Sequence, residues 1–369
     1  MPRFPKIHFL RLYELRHKST LINFEKCKEF HTLKDKNLKQ NIIKGPKFLS
    51  FFLLGIFIFW LIYKDQDFHR IKSILTNDVH YSWIFVSIFL GLLSHLSRTI
   101  RWNLIIEPLD HKPGVLNTFL AVMVGYLMNL ALPRMGEISK CGVLSRYEKI
   151  PFTKLIGTVV VERLVDVLML LLLLLLTIFT QFGQLLKFLD NNPEVKEKLD
   201  KVIYSPILIG GGIFFLLIVW FSRHKIQKSS FMKLVFGYFH QFVEGFRSIG
   251  KMKKVGAFIF HSFFIWFMYY AMMVCVFYAF PFTSNLSLLA GLTVFVLGSF
   301  GMVAPVQGGI GAWHFMAIQG LALYGISKPD ATVFALVAHG SSTLMLIVFG
   351  LLSMLVLPFV NERTEKNKE

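Results

Sequence analysis

The sequence contains few charged residues, few cysteines and no motif of a soluble enzyme. Only 17% of its 369 residues are charged, whereas 54% are hydrophobic, 15% are aromatic and the mean hydropathy is +0.56. Soluble domains contain about 25% charged and roughly 45–50% apolar residues, so this composition argues against an ordinary soluble enzyme. The three cysteines (Cys27, Cys141 and Cys275) are far apart and provide neither a disulfide framework nor metal-ligand spacing.

Familiar catalytic signatures are also missing. The sequence has no HExxH, no Walker loop and no GxSxG. Its longest polar segment, 1–46, is too short for a catalytic domain, and we therefore expect no cofactor and no metal. The net charge of +18 does not predict a nucleic-acid partner, because the basic residues lie in short blocks between uncharged runs.

Long apolar runs make up most of the remaining chain. A bilayer core of about 30 Å requires roughly 20 apolar residues per helix, and an open sheet cannot lie in lipid. The runs are 47–63, 80–97, 115–132, 153–179, 203–222, 255–280, 286–304 and 329–359, with a ninth, shorter run at 309–326. We predict an all-α polytopic integral membrane protein in which 64–79 and 180–202 are external loops.

Basic residues predict the orientation, because Lys and Arg are enriched in cytoplasmic loops. Twelve of them lie in 1–47, and eight lie in 223–254 against a single acid. If 115–132 crossed the membrane fully, five more basic residues between 133 and 154 would face outward. This conflict indicates that the chain turns back inside the membrane.

Two re-entrant hairpins remove the conflict. If 115–147 enters from the cytoplasm and 286–326 enters from outside, 31 of the 40 basic residues lie inside and both termini are cytoplasmic. The fold is then about six full spans plus two re-entrant hairpins, eight hydrophobic segments in all, in the cytoplasmic (inner) membrane. A basic segment, 1–46, precedes the membrane domain 47–359, and a tail, 360–369, follows it.

The two halves of the membrane domain, 47–179 and 203–359, then have the same order of segments and opposite orientations. Such an inverted-topology repeat is typical of alternating-access transporters, and broken helices at matching positions indicate the substrate site. Both hairpins are interrupted by proline and glycine, at Pro133 to Gly136 and at Pro305 to Gly311. The alternative is eight plain helices joined by two unrelated loops.

The first candidate cluster surrounds the break in the first hairpin. Its members are Asn129, Pro133, Arg134, Gly136, Glu137 and Lys140. A helix that begins after Pro133 would direct its positive end toward an anion, and the guanidinium of Arg134 could bind a phosphate. Alternatively, Arg134 and Glu137 pair with each other and have a structural role only.

The second cluster, Glu162, Arg163 and Asp166, lies about 14 Å along the helix that begins near Thr153. Each intramembrane charge costs roughly 2.5–3.5 kcal/mol, so unpaired charges are not expected there. Glu162 and Asp166 share a helix face, Arg163 can reach Asp166, and the remaining negative charge requires a cationic partner. The candidates are Arg134, Arg98 and Arg101, and the cluster is either a substrate site or a structural ion-pair network.

Two further groups have weaker patterns. Arg98, Arg101 and Trp102 end the second span, where they are either an interfacial anchor or a headgroup-binding group. His314 follows the glycine break of the second hairpin by three residues, and we consider it as a binding residue or as an interhelical hydrogen-bonding group.

These motifs together resemble the transmembrane region of lysylphosphatidylglycerol synthases, a flippase-like family. The resemblance rests on Arg98-x-x-Arg101-Trp102, on Pro133-Arg134-x-Gly136-Glu137, on Glu162-Arg163-x-x-Asp166 and on Pro305-x-x-Gly308-Gly309-x-Gly311. It extends over about 47–359 and implies movement of an aminoacylated phosphatidylglycerol between leaflets. By this resemblance the matching residues belong to the site. The sequence departs from the family at Trp313 and His314, where many members have Arg-Glu, and at His339.

The expected function is therefore a lipid translocase for an anionic, aminoacylated or polyprenyl-phosphate-linked lipid, whose partners are membrane lipids. The soluble aminoacyltransferase domain of full-length synthases is absent, so lysyl-lipid synthesis is not expected. Two alternatives remain open. One is a membrane-embedded lipid-modifying transferase that uses Glu137, Glu162 or Asp166 as a general base, and the other is a non-catalytic partner of an envelope-lipid enzyme.

Overall fold

The apolar runs form long helices that end where proline or glycine interrupts them. The computed structural model describes residues 68–132, 134–193 and 252–366, together with isolated residues between 53 and 64 and between 196 and 210. The described helices are α1 (Phe68–Asn77), α2 (Tyr81–Ile106), α3 (Val115–Ala131), α4 (Met135–Glu148), α5 (Phe152–Asn191), α6 (Val255–Tyr278), α7 (Leu288–Val303), α8 (Ala312–Ala322) and α9 (Lys328–Lys366). Short helical turns lie at Glu107–Leu109, Pro281–Ser284 and Gln307–Gly309. The described part of the chain is thus all-α, as predicted.

Several predicted segments lie outside the described residues. They are the basic segment 1–46, most of the runs 47–63 and 203–222, most of the basic loop 223–254, and Pro133. The chain divides into two units, residues 1–53 and 54–369, and all the helices named above belong to the second. The halves 47–179 and 203–359, and their relation as a repeat, stay predictions.

Two segments that the sequence predicted to be external loops contain helical residues, and their location outside the membrane stays a prediction. Residues 64–79 contain α1, which forms because Ile71 and Ile74, three residues apart, are both buried on one helix face. Residues 180–202 include the last twelve residues of α5, which continues to Asn191 and stops before Pro193. A residue that precedes proline is driven out of the helical region, which explains this end.

Membrane-spanning character is clear in three described helical segments. Tyr81–Leu109, Val255–Tyr278 and Lys328–Glu362 are long and apolar enough to cross a membrane, and Val115–Ala131 and Leu288–Val303 are shorter apolar helices. Helix α5 is not among the three, yet its uncharged run 167–186 has the length that a bilayer core requires. The chain is thus a multi-pass membrane protein, whereas the number of full spans stays a prediction.

Both hairpins break at the residue before a proline. Leu132 precedes Pro133 and has the extended angles φ −137° and ψ 119°. Ala304 precedes Pro305 and has φ −56° and ψ 142°. In both cases proline excludes the preceding residue from the helical region, so α3 and α7 end there.

The ends of the first hairpin lie side by side. Glu148, the last residue of α4, accepts hydrogen bonds from the Gly114 amide (3.1 Å) and from Asn117 Nδ2 (2.7 Å), both at the start of α3. Asn117 is also bonded to Asn361 of α9. At the same end of the helix bundle, Lys254 approaches Glu107 to 3.4 Å. We call this end the basal end.

The second hairpin starts and finishes at the opposite end. Tyr324, just after α8, donates a hydrogen bond to Thr293 in the second turn of α7 (2.7 Å). At this opposite end the His80 amide, which precedes α2, donates to the Ala279 carbonyl, which follows α6 (2.9 Å). A hairpin that returns to the end from which it started is the arrangement that a re-entrant segment requires, and the depth of the tips in a membrane stays a prediction.

Candidate functional site

Five buried charged residues from three helices form a compact ion cluster. Arg98 Nη1 lies 2.8 Å from both Glu162 Oε1 and Asp166 Oδ2. Arg101 Nη2 lies 2.7 Å from Asp166 Oδ1, and Lys140 Nζ lies 2.5 Å from Glu162 Oε2. All five side chains are buried, and Glu162 and Arg101 are fully inaccessible. We call these five residues the buried ion cluster.

Helix geometry explains why the cluster forms. Arg98 and Arg101 lie one turn apart on α2, and Glu162 and Asp166 lie one turn apart on α5, so each pair occupies one helix face. Lys140 of α4 completes the cation set. The structure therefore places Arg98 and Arg101 in the interior as partners of the carboxylates, not as interfacial anchors.

A buried aromatic residue supports the cluster. The indole Nε1 of Trp102 donates to Thr158 Oγ1 (2.8 Å), which fixes its ring between α2 and α5. Lys140 Nζ lies 4.4 Å from the centroid of that ring, within the range of a cation–π interaction. Trp102 thus links α2 to α5 and packs its ring against the Lys140 side chain.

The cluster contains one more positive charge than negative charge. It has three cations, Arg98, Arg101 and Lys140, against the carboxylates of Glu162 and Asp166. Within the described residues, Arg98 Nε and the Nε and Nη1 atoms of Arg101 have no hydrogen-bond partner. Buried guanidinium N–H groups normally have partners, so these donors and the excess charge indicate an interaction that the described residues do not complete.

A close contact between glycines brings α4 against α3. A Cβ atom at Gly136 would overlap the Gly125 carbonyl oxygen and lie 2.5 Å from Asn129 Nδ2. The Gly136 amide donates to Asn129 Oδ1 (2.7 Å), so one free amide at the start of α4 is satisfied by the protein. Asn129, Gly136 and Lys140, which the sequence predicted as site residues, therefore lie where α3 and α4 pack against each other.

A small recess opens beside this contact and reaches the cluster. It is lined by Val122, Gly125 and Gly136 and by polar residues of α2, α3, α4 and α5. The polar residues are Arg98, Tyr126, Asn129, Glu137, Lys140 and Arg163. The recess is therefore bordered both by Arg98 and Lys140 of the buried ion cluster and by the partly exposed residues Glu137 and Arg163.

Arg163 and Glu137 lie at this recess and are only partly buried. Arg163 Nε lies 3.5 Å from Glu137 Oε1, and Arg163 Nη1 lies 3.6 Å from Asp166 Oδ2. The Arg163 side chain is 46% exposed, and Glu137 Oε2 has no hydrogen-bond partner among the described residues. Glu137 therefore pairs with Arg163, not with Arg134 as the structural alternative required.

Arg134 lies apart from the cluster. It is exposed, and it occupies the left-handed region (φ 62°, ψ 10°) immediately before α4. Among the described residues it forms no ion pair with Glu137, Glu162 or Asp166. The sequence suggested Arg134 as a partner of the buried carboxylates, and the tertiary structure assigns that place to Lys140, Arg98 and Arg101.

The glycines of the second hairpin adopt conformations that other residues rarely take. Gly308, Gly309 and Gly311 have φ values of 55°, 76° and 80°. His339 Nε2 lies 2.8 Å from the Gly308 carbonyl oxygen and donates to it, and the Gly311 amide donates to His314 Nδ1 (3.4 Å). The two imidazole rings lie 4.7 Å apart, so both histidines hold the break in place and are separate from the buried ion cluster.

Sequence reasoning missed Gly125 and Tyr126, which also line the recess. One signal was present, because Gly125 precedes Asn129 by one helical turn and therefore shares its face. Among the described residues, no group of three or more His, Cys, Asp and Glu side chains is arranged to hold a metal.

Comparison with known proteins gives the family. The sequence matches the family described as "Lysylphosphatidylglycerol synthase TM region" over residues 48–350. It is also 32% identical, over 99 residues, to the UPF0104 membrane protein MJ1595 of Methanocaldococcus jannaschii. That alignment covers 26% of this chain and 29% of the relative, so it spans less than a third of either protein. No solved structure matches. The family match covers most of the chain and confirms the predicted resemblance, so the protein belongs to the lysylphosphatidylglycerol synthase transmembrane-region family.

Proposed function

We propose that this protein is a lipid translocase of the cytoplasmic membrane, which moves an anionic, aminoacylated or polyprenyl-phosphate-linked lipid between leaflets. The observation that carries the proposal is the buried ion cluster, which has an excess positive charge and opens to a recess. A buried charge without a counter-charge is costly, and intramembrane charges commonly belong to substrate pathways.

The arrangement of the two hairpins supports the same function. The first starts and finishes at the basal end, the second starts and finishes at the opposite end, and their tips are in contact through Leu130 and Gly308. In transporters with broken helices, substrate sites lie where such segments meet. We propose that the basal end is cytoplasmic, because Lys112, Lys149 and Lys254 lie beside helix ends there and Lys154 lies in the first turn of α5.

Arg134 has a place in this mechanism. Helix α3 has 17 residues and therefore extends about 25 Å from the basal end before the chain reaches Arg134. An exposed guanidinium at that distance requires polar surroundings, which a lipid headgroup in transit would supply. In the proposed mechanism Arg134 contacts the headgroup at the hairpin tip, and the recess near Arg98 and Lys140 binds its phosphate.

The transferase alternative is less favoured. A general base needs a carboxylate that can take up a proton. Glu162, however, lies within 2.8 Å of Arg98 and Lys140, and Asp166 lies within 2.8 Å of Arg98 and Arg101. Glu137 has one oxygen without a hydrogen-bond partner among the described residues, but its other oxygen pairs with Arg163. Lipid translocation requires no carboxylate that takes up a proton, so it explains the site better than a transferase does.

The test is translocation of headgroup-labelled lipids in proteoliposomes. Phosphatidylglycerol, its lysyl ester and a polyprenyl phosphate are compared for the wild type, Arg98→Gln and Arg70→Gln. Arg70 is the matched control, because it also forms an arginine–aspartate pair (2.7 Å to Asp330) but is half exposed and belongs neither to the cluster nor to the lining of the recess. We expect Arg98→Gln to slow transport at least about tenfold, the effect of losing one charged hydrogen bond.

Equal transport by the two variants would contradict the proposal. Mass spectrometry of the same lipids separates the alternatives, because a transferase changes lipid mass and a translocase does not. A membrane partner without activity of its own predicts that neither lipid position nor lipid mass changes.

A further inference from the structure

The charge balance around the recess restricts the lipid that the proposed site can bind. We infer that the recess selects a lipid with one net negative charge, a phosphodiester whose headgroup carries hydroxyl groups and no amine. This inference rests on the proposed function and concerns the substrate of the same site. It excludes the aminoacylated lipids that the proposed function leaves open.

The first step is the charge of the empty site. Each carboxylate of the buried ion cluster is held by two cations at 2.5–2.8 Å, so both carboxylates are ionised. The three cations then leave one positive charge in excess. Arg163 and Glu137 lie at the mouth and pair with each other, so they do not change this excess.

The second step is the geometry of the donors. Arg98 is only 5% exposed, it lines the recess, and its Nε atom has no hydrogen-bond partner among the described residues. Lys140 and Arg163 line the same recess. A phosphodiester oxygen that enters the recess meets these cations and provides the missing acceptor and the missing negative charge together.

The third step concerns Glu137. Its Oε2 atom is a buried acceptor without a donor among the described residues, and Glu137 lines the same recess. A hydroxyl group of the headgroup would donate to this oxygen without altering the charge balance. An ammonium group would also donate, but it would restore the excess positive charge that the phosphodiester had neutralised. Zwitterionic and cationic lipids are therefore disfavoured relative to a monoanionic lipid.

The test measures equilibrium binding by titration calorimetry with the full-length protein in non-ionic detergent. The ligands are short-chain phosphatidylglycerol, phosphatidylethanolamine and lysyl-phosphatidylglycerol, which carry one negative, zero and one positive net charge. Inorganic phosphate and glycerol 3-phosphate are the arms that distinguish a lipid headgroup from a free phosphate. We expect phosphatidylglycerol to bind at least about tenfold more tightly than the two amine-bearing lipids, the effect of one charged contact.

Three variants test the charge argument. Lys140→Met removes the excess charge and should reduce the preference for phosphatidylglycerol by about tenfold, whereas Lys140→Arg should retain it. Glu137→Gln raises the excess by one charge and should shift the preference toward the dianionic lipid phosphatidic acid. Lys154→Met is the matched control, because Lys154 is exposed on α5 and outside the recess, and it should leave the preference unchanged.

Equal or tighter binding of lysyl-phosphatidylglycerol would overturn the inference, as would full competition by free phosphate at the same concentration. The proposed function is judged separately in the proteoliposomes. If the protein transports lipid but does not show the expected order of affinities, the charge inference is wrong and the proposed translocase function stands. If it shows the expected order of affinities but transports no lipid, the proposed translocase function is wrong and the recess is an anionic-lipid binding site.

Discussion

Leu130 and Gly308 bring the tips of the two hairpins into contact. A Cβ atom at residue 308 would lie 2.6 Å from Leu130 Cδ2, so no side chain other than hydrogen fits there without displacing Leu130. Leu130 is next to last in α3, and Gly308 lies in the break between α7 and α8. The hairpins start at opposite ends of the bundle, and this contact joins their tips.

We expect a disulfide between Leu130→Cys and Gly308→Cys to stop transport. The Leu130 Cα atom lies 4.0 Å from the position of a Cβ at residue 308, which is close enough for a bridge. If the tips must separate during transport, oxidation should abolish lipid movement and reduction should restore it. Mass spectrometry of the cross-linked peptides establishes that the bridge forms.

The reduced double variant is the control for this experiment, because it carries both packing changes without the bridge. The native thiols Cys141 and Cys275 are buried. Transport that continues at the wild-type rate in the oxidised double variant would show that the tips do not need to separate.

Gly136→Ala should destabilise the protein, because its new methyl group would overlap the Gly125 carbonyl oxygen and contact the Asn129 side chain. Overpacking of this kind typically costs about 1–3 kcal/mol. The measurement is the apparent melting temperature in detergent, followed by size-exclusion chromatography of heated samples.

The control is Gly142→Ala on the same helix. A Cβ atom at Gly142 meets nothing within 4 Å, so this substitution should be neutral or should stabilise α4 by up to about 1 kcal/mol. Equal melting temperatures for the two alanine variants would contradict the close α3–α4 packing.

Glu162→Gln should be among the most destabilising substitutions in the chain. It leaves Arg98 and Lys140 without one of their carboxylates in a fully buried position, and removal of one partner of a buried pair commonly costs about 3–5 kcal/mol. The surface substitution Glu197→Gln, which removes an exposed pair with Lys201, should cost less than about 1 kcal/mol.

The double variant Glu162→Gln/Lys140→Met separates charge from packing. It restores the wild-type excess of one positive charge, so we expect it to recover part of the stability lost in Glu162→Gln. A loss of stability in the double variant that equals the sum of the two single losses would argue against direct coupling between these residues.

His339→Phe should loosen the break of the second hairpin. The imidazole donates to the Gly308 carbonyl oxygen at 2.8 Å, and phenylalanine retains the ring but removes this donor. A buried carbonyl that loses its partner costs about 1–3 kcal/mol, and because Gly308 is only partly buried we expect a loss at the lower end of that range. Limited proteolysis near residues 304–311 should become faster, whereas Thr343→Val, which removes only a 3.4 Å contact to the other ring nitrogen, should have a smaller effect.

Much of the site followed from spacing along the chain. Glu162 and Asp166 are four residues apart, so a helix had to place them on one face, and the cost of burying two carboxylates required cations nearby. The sequence could not decide which cations, because Arg98, Arg101 and Arg134 all satisfied the charge requirement. The fold decided it by packing α2 and α4 against α5, which brings Lys140 to Glu162 and leaves Arg134 exposed.

The sequence by itself determined that the chain is helical, that it belongs in a membrane, and where its helices break, because apolar run length and the residues before Pro133 and Pro305 act locally. Only the tertiary structure decided that the two breaks meet at Leu130 and Gly308 and that a recess reaches the buried charges. Contacts between residues nearly 180 positions apart depend on how whole helices pack, and local patterns do not encode that packing.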